Sequence, residues 1–242
     1  MSNKNVWVMV LLIIIQILLS VTASAAPQTS TEMQTTQTRW YAGYYYYNYE
    51  GPSCIFKGVR SRIYTINVPI AEDEAYAEWV TVILRYYPKY WVQVGYYKGW
   101  YTGYVLRYYI EKYDSNGHTL IILYDMGTPS HGEWHIYEIK QPAYGVNWNF
   151  YIDYTYAGSF STNPSCSRDL QAFVETWSPY VNIDESHFQD ISYRLILYNR
   201  PVWILWDRHE PRSDDPYWIC EVSHHEFLAG GGEEPPWTYW WR

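Results

Sequence analysis

The fold class is indicated most clearly by Tyr90-Trp91-Val92-Gln93-Val94-Gly95-Tyr96-Tyr97. The side chains of this stretch alternate between two faces, which is the period of a β-strand and not of a helix. One face carries Trp91, Gln93, Gly95 and Tyr97. The opposite face carries Val92 and Val94, which we expect in the core. The stretch therefore predicts a strand that buries one side and presents rings and one carboxamide on the other.

The same kind of run recurs along the chain, separated by turn residues. We predict strands over 40–49, 55–68, 76–86, 90–97, 104–114, 118–125, 133–140, 147–156, 170–177, 187–198, 202–207 and 217–228. Asn116-Gly117 between two alternating runs is the strongest hairpin signal. Long two-faced strands with no helical period predict an all-β protein, an antiparallel β-sandwich built of two stacked sheets.

The first 26 residues have the three parts of a secretory signal peptide. Lys4 supplies a basic start, Val6 to Leu19 is apolar, and Ala23-Ser24-Ala25 offers small residues for cleavage after Ala25 or Ala26. The apolar run is shorter than the ~20 residues that a spanning helix needs. We therefore expect a secreted, extracellular protein with no membrane span after cleavage.

The rest of the chain divides into three parts. Residues 27–38 are rich in Thr, Gln and Ser and predict a flexible linker. Residues 39–230 form a single β-sandwich domain, and residues 231–242 are a C-terminal tail. A tail that docks on a neighbouring copy, and hence self-association, stays open.

The charge of the protein excludes some partners. Cleavage removes one of the 17 basic residues and none of the 25 acidic ones, so the net charge changes from −8 to about −9. An acidic protein is a poor partner for nucleic acids and anionic membranes. The 29 tyrosines and 14 tryptophans exceed what one core needs and favour a ring-lined groove for a polypeptide or a glycan.

Three cysteines remain in an oxidising compartment, so at least one is unpaired within the chain. Cys54 and Cys166 both lie in Pro-Ser-Cys turns, and we predict a disulfide between them. Cys220 lies in an alternating run and is predicted as a buried thiol.

A second polar residue interrupts a ring-rich strand face in Ala172-Phe173-Val174-Glu175-Thr176-Trp177. Glu175 shares its face with Phe173 and Trp177. Partial desolvation raises the pKa of such a carboxyl group and prepares it for acid–base chemistry. Gln93, held on a rigid strand between rings, is a preorganised donor for a developing oxyanion. Spacing alone does not bring the two residues together.

Several segments together resemble the eqolisin-type glutamic peptidases, within the concanavalin-like jelly-roll superfamily. The segments occur in the same order and at similar spacing as in that family, over about residues 40 to 200. The number of residues between Gln93 and Glu175 is also close to the family's. The segments are Arg39-Trp40-Tyr41-Ala42-Gly43-Tyr44, Ile66-Asn67-Val68-Pro69, Ala77-Glu78-Trp79-Val80, Trp91-Val92-Gln93-Val94-Gly95 and Ala172-Phe173-Val174-Glu175.

The resemblance implies a concanavalin-like sandwich with a concave groove and a peptidase that works at acidic pH. Glu175 is then the general base, and Gln93 positions the water and stabilises the tetrahedral intermediate. The other substrate-binding residues expected on this basis and from the shared strand faces are Trp79, Trp91, Tyr97, Glu111, Phe173 and Trp177. The same sandwich occurs in lectin-like domains. A non-catalytic carbohydrate- or surface-binding domain and a subunit of an extracellular assembly therefore remain alternatives.

No metal or cofactor is expected. His131, Glu133 and His135 lie in a segment whose first half is predicted as a loop, so the three side chains are not expected to share one strand face. His224 and His225 are predicted on opposite faces of a strand, which argues against one shared metal site. Asp207-Arg208-His209-Glu210 together with Asp214-Asp215-Pro216 resembles an acidic loop that could hold calcium through oxygen ligands, but a solvated turn is favoured.

Overall fold

The computed structural model describes residues 38–47, 55–87, 89–142, 145–162, 167 and 169–232. Within them lie fifteen β-strands and two short 3₁₀ turns, Trp100–Thr102 and Tyr124–Met126. The strands are β1 Trp40–Tyr47, β2 Gly58–Tyr64, β3 Tyr76–Arg85, β4 Tyr90–Lys98, β5 Arg107–Asp114, β6 Gly117–Ile122, β7 Trp134–Lys140, β8 Asn147–Ile152, β9 Thr155–Ser161, β10 Asp169–Thr176, β11 Ile183–Leu197, β12 Arg200–Leu205, β13 Glu210–Ser213, β14 Trp218–Ser223 and β15 Glu226–Gly231.

The strands form two antiparallel sheets that pack face to face. The seven-stranded sheet has the order β13-β1-β10-β3-β4-β5-β6. The eight-stranded sheet has the order β14-β15-β11-β2-β7-β8-β9, and β12 pairs with the second half of β11. The predicted concanavalin-like antiparallel β-sandwich, a jelly roll, is confirmed.

The main core lies between the two sheets. Val92 and Val94 are fully buried there, together with Trp148, Phe150 and Phe188 from the facing strands. A second, smaller cluster covers the outer face of the seven-stranded sheet and contains Trp79, Tyr97, Tyr109 and Phe173. The side chains of β4 therefore alternate as predicted. Val92 and Val94 point into the core between the sheets, and the face that carries Gln93 and Tyr97 points outward.

The hairpin predicted at Asn116-Gly117 exists, with Asp114 and Gly117 as its last paired residues. Two predicted strands are instead hairpins, so these predictions are wrong. The segment 147–156 turns at Asp153 and Tyr154, which both have positive φ angles, and Tyr154 is exposed. The segment 217–228 turns at His224 and His225. None of these turns contains a glycine, so the usual turn signal is missing.

The acidic segments Asp207–Glu210 and Asp214–Pro216 were predicted as a solvated turn, and they lie mostly in exposed loop and turn. A short strand between them was not predicted. Glu210 to Ser213 form β13, which pairs with β1 at the edge of the seven-stranded sheet. The four residues are all exposed, so no hydrophobic alternation marks the strand. Edge pairing of the backbone holds it in place.

Several predictions fall on residues outside the described ranges. These are the signal peptide, most of the linker, nearly all of the tail, and the cysteines Cys54 and Cys166. The neighbouring Phe56 and Ser167 form an isolated antiparallel bridge. Cys220 is a free thiol on β14 and is half-buried, not buried as predicted. The described part of the chain contains no helix of sufficient length and apolar character to cross a membrane.

Candidate active site

Glu175 lies on β10, on the outer face of the seven-stranded sheet, and is 3% exposed. Its Oε1 accepts hydrogen bonds from Arg39 Nη1 at 2.7 Å and from the Tyr41 hydroxyl at 3.3 Å. Its Oε2 accepts a hydrogen bond from Trp79 Nε1 at 2.9 Å. Burial raises the pKa of Glu175, while the charge of Arg39 lowers it and that of Glu111 raises it, with burial dominant.

Two neighbouring strands supply these donors. β1 pairs with β10 on one side and places Tyr41 directly opposite Glu175. β3 pairs with β10 on the other side and places Trp79 beside Phe173. Gly95 lies opposite Trp79 on β4, and a Cβ there would lie 2.0 Å from the Glu78 carbonyl oxygen. A glycine is required at this position because the two strands approach so closely.

Gln93 lies on β4 and is 5% exposed. Its Oε1 accepts a hydrogen bond from the Thr81 hydroxyl at 2.7 Å, which fixes the orientation of the amide. Its Nε2 donates to the Tyr109 hydroxyl at 2.6 Å and to Glu111 Oε2 at 3.2 Å. His118 Nε2 contacts the other oxygen of Glu111. Gln93 and Glu111 thus form one polar pair across β4 and β5.

Gln93 and Glu175 line the same cavity, which has a volume of about 140 Å³. They are two strands apart in the sheet, and their positions differ by four residues along β3, which lies between them. Arg39 and Glu111 line both this cavity and a smaller adjoining hollow. The carboxylate and the carboxamide therefore face one common space, and each is held by its own partners.

The predicted ring residues divide between these two spaces. Trp79, Trp91 and Phe173 line the larger cavity, and Tyr97 and Trp177 line the hollow. Trp79 and Phe173 are buried and pack on each other with ring centroids 5.4 Å apart. Trp91 and Trp177 are half-buried, so these two rings retain surface for contact with a ligand.

Three cations at the cavity were missed by the sequence analysis. Arg39 precedes β1, Lys89 precedes β4, and Arg212 lies on β13, and all three line the larger cavity. Burial lowers the pKa of Lys89. No local pattern marks these residues. Arg39 and Arg212 reach the site because distant strands pair, and Lys89 lies in the turn before β4. The site is therefore much more basic than the protein as a whole.

The fold and this cavity define a concanavalin-like β-sandwich with a polar site on the outer face of one sheet. Among solved structures, two glutamic peptidases have a similar fold. Scytalido-glutamic peptidase, solved with a peptide-based transition-state analogue, superposes with a TM-score of 0.55 at 14% identity, covering 79% of this chain and 98% of that chain. SCP-B, a member of the eqolisin family of peptidases in complex with the tripeptide Ala-Ile-His, has a TM-score of 0.52 at 12% identity with the same coverage.

The structural resemblance to the eqolisin-type glutamic peptidases is thereby confirmed at the level of the fold. A glycoside hydrolase family 16 endo-glucanase from Bacteroides ovatus matches more weakly, with a TM-score of 0.35 at 10% identity over 61% of this chain and 70% of that chain. No protein-family model matches the sequence. A search of curated proteins gave no significant match.

Proposed function

We propose that this protein is a secreted, glutamic-peptidase-like hydrolase that cleaves peptide bonds at acidic pH, with Glu175 as general base and Gln93 as the oxyanion-stabilising amide. One observation carries the proposal: Glu175 and Gln93 face the same cavity on the outer side of the seven-stranded sheet. The fold is that of the glutamic peptidases named above, which supports the proposal without establishing the chemistry.

The hydrogen bonds of Glu175 leave room for a water molecule. An ionised carboxylate offers about four lone-pair positions, and Arg39, Tyr41 and Trp79 occupy three of them. A water bound at the remaining position would donate to Glu175 and lose a proton to it as its oxygen attacks the scissile carbonyl. The raised pKa caused by burial makes Glu175 a stronger base than an exposed glutamate.

Gln93 is oriented for the complementary role. Thr81 fixes the amide oxygen, so the NH₂ group is directed towards Tyr109 and Glu111. The bond to Glu111 is the longer of the two, at 3.2 Å. In the proposed reaction a substrate carbonyl replaces Glu111 as the acceptor, and the bond strengthens as negative charge develops on that oxygen.

A buried carboxyl group supports the acidic working range. Glu78 is fully buried between the sheets, where burial raises its pKa to about 8. The protonated, uncharged form of Glu78 is the more stable form in the buried core. Acidic conditions, which protonate it, therefore favour the folded protein. Secretion is part of the proposal and rests on the signal-like first 26 residues.

A non-catalytic binding domain is the second candidate, and one observation favours it. The guanidinium of Arg39 neutralises Glu175 directly. A carboxylate held in an ion pair suits a binding site as well as a catalytic one. In that case Trp91 and Trp177 would stack on a glycan or a peptide.

The test is a peptidase assay of the purified mature chain on an unfolded protein substrate between pH 2 and 6, with Glu175→Gln and Gln93→Ala beside it. We expect Glu175→Gln to lower kcat by at least about 100-fold, the usual contribution of a general base. Glu185→Gln, on an exposed position of β11, is the matched control and should retain full activity. Peptidase activity unchanged in Glu175→Gln, or absent from the wild type, contradicts the proposal and favours a binding domain.

A further inference from the structure

Three potential metal ligands converge at residues that do not line the candidate active-site cavity and that no sequence motif connects. His209 lies in the loop between β12 and β13, Glu221 lies on β14, and His224 lies in the turn between β14 and β15. One ligand atom from each of the three lies within 4.8 Å of those from the other two. Within the described ranges this is the one group of three or more histidine, cysteine or acidic side chains that meets this distance.

The two imidazoles have the separation that a metal ion requires. His209 Nδ1 lies 3.2 Å from His224 Nδ1. In a tetrahedral zinc site with Zn–N bonds of about 2.0–2.1 Å, neighbouring nitrogen ligands are about 3.3 Å apart. A single ion can therefore bind both Nδ1 atoms with little movement of either ring.

His209 is held in a fixed orientation. Its side chain is 4% exposed, and its ring stacks on Tyr44 with centroids 3.9 Å apart and an angle of 15° between the planes. Glu221 Oε2 lies 3.2 Å from His209 Nε2. A proton on Nε2 that is donated to Glu221 leaves the lone pair on Nδ1, the atom that faces His224. A carboxylate that orients a histidine in this way is the usual companion of a metal-binding imidazole.

Glu221 and His224 are exposed, whereas His209 is nearly buried. A cation can thus reach the cluster from solvent and meet a preset imidazole. Nitrogen and carboxylate ligands favour zinc, copper or nickel over calcium and magnesium, which prefer oxygen ligands alone.

We propose that His209 and His224 bind a divalent transition-metal ion, with zinc as the first candidate, through their Nδ1 atoms. Glu221 supports the ion by orienting His209, and water completes the coordination. The site links the loop before β13 with the β14–β15 hairpin. β13 is an edge strand of the seven-stranded sheet, and the hairpin lies at the edge of the eight-stranded sheet. A bound ion therefore links the edges of the two sheets at this corner of the sandwich.

The test is zinc binding by calorimetry, together with thermal unfolding of the metal-depleted full protein with and without added ZnCl₂. At a zinc concentration about 100 times Kd we expect Tm to rise by about 5–10 °C. MgCl₂ and CaCl₂ at the same concentration should leave Tm unchanged. Cobalt added in place of zinc should give the visible absorption bands of a tetrahedral site with nitrogen ligands.

Variants identify the ligands. His224→Ala should lower zinc affinity by about 100-fold, and Glu221→Gln should lower it by about 10-fold or more. Because His224 is exposed, its removal should leave the apo protein folded, whereas His209→Ala also removes the stacking on Tyr44. His225→Ala changes the next residue of the same turn and should bind zinc as the wild type does. No zinc-dependent rise in Tm, or equal affinity in wild type, His224→Ala and Glu221→Gln, overturns the proposal.

Discussion

Arg39 Nη1 lies 2.7 Å from Glu175 Oε1, although the two residues are 136 positions apart in the sequence. The guanidinium carbon of Arg39 also lies 4.8 Å from the ring centroid of Trp177. Arg39 is therefore held by a carboxylate on one side and a ring on the other. The charge of Arg39 opposes the effect of burial, which raises the pKa of the carboxyl group on which the proposed chemistry depends.

Replacing Arg39 with glutamine should raise the pKa of Glu175. Arg39 is the leading influence that lowers this pKa, so its loss leaves burial and Glu111 to favour the protonated form. The acidic limb of the pH profile of kcat/KM should move to higher pH, because a general base works only when deprotonated. Arg212→Gln is the matched control, since Arg212 lines the same cavity but does not bond to Glu175. A profile that is the same in Arg39→Gln and wild type would remove Glu175 from the role of base.

Replacing Trp79 with phenylalanine should remove the hydrogen bond to Glu175 Oε2 and keep most of the ring packing on Phe173. A buried hydrogen bond to a charged group contributes about 1.5–3 kcal/mol, so we expect a loss of that order in the free energy of unfolding. Urea denaturation measures it. Trp91→Phe changes a half-buried ring at the same cavity and should cost clearly less. Equal losses in both variants would mean that the indole N–H of Trp79 contributes nothing specific.

Glu78 should make the stability of the fold depend on pH. Burial raises its folded-state pKa to about 8 from an ordinary value of 4.5, so the native protein holds this proton more tightly than the unfolded chain does. The stabilisation is fully present below the unfolded-state pKa and is lost as the pH rises from about 4.5 to 8. The loss is on the order of 5 kcal/mol by linkage.

Chemical denaturation of Glu78→Gln across this pH range tests the assignment. The neutral amide should flatten the decline, because it cannot ionise, while Ser186 still offers a hydrogen-bonding partner. Glu185→Gln, at an exposed position on β11, should keep the wild-type dependence. A decline of equal steepness in Glu78→Gln and wild type would assign the effect to other groups.

The disulfide between Cys54 and Cys166 stays a prediction. The residues beside the two cysteines are already joined, since Phe56 N and Ser167 N each donate a backbone hydrogen bond of 3.0 Å to the other's carbonyl oxygen. A cross-link that closes a loop of roughly 110 residues should stabilise the fold by about 4–5 kcal/mol. Mass spectrometry of a non-reduced digest should find the linked peptides. Cys220→Ser should leave both the link and the stability intact, and a 54–220 or 166–220 link would contradict the prediction.

Much of the fold follows from local pattern. The faces of β4 and of β10 could be assigned from alternation, because consecutive side chains in a strand point to opposite sides whatever the strand pairs with. The hairpin at Asn116-Gly117 was found for a similar reason, since its turn residues carry their own signal. The turns at Asp153-Tyr154 and His224-His225 were missed because they depend on non-glycine residues, and β13 was missed because both its faces are exposed.

The alternating runs of the chain are enough to specify an all-β protein whose Gln93 and Glu175 project from ring-rich strand faces away from the core. They also specify the sandwich class, because so many two-faced strands can bury their apolar sides only against one another. Two features depend on the folded arrangement of the strands. Arg39, Lys89 and Arg212 enter the same cavity, and His209, Glu221 and His224 meet at the sheet edges. Strand order and edge contacts are set by packing between distant segments, and local periodicity does not show which segments will pack together.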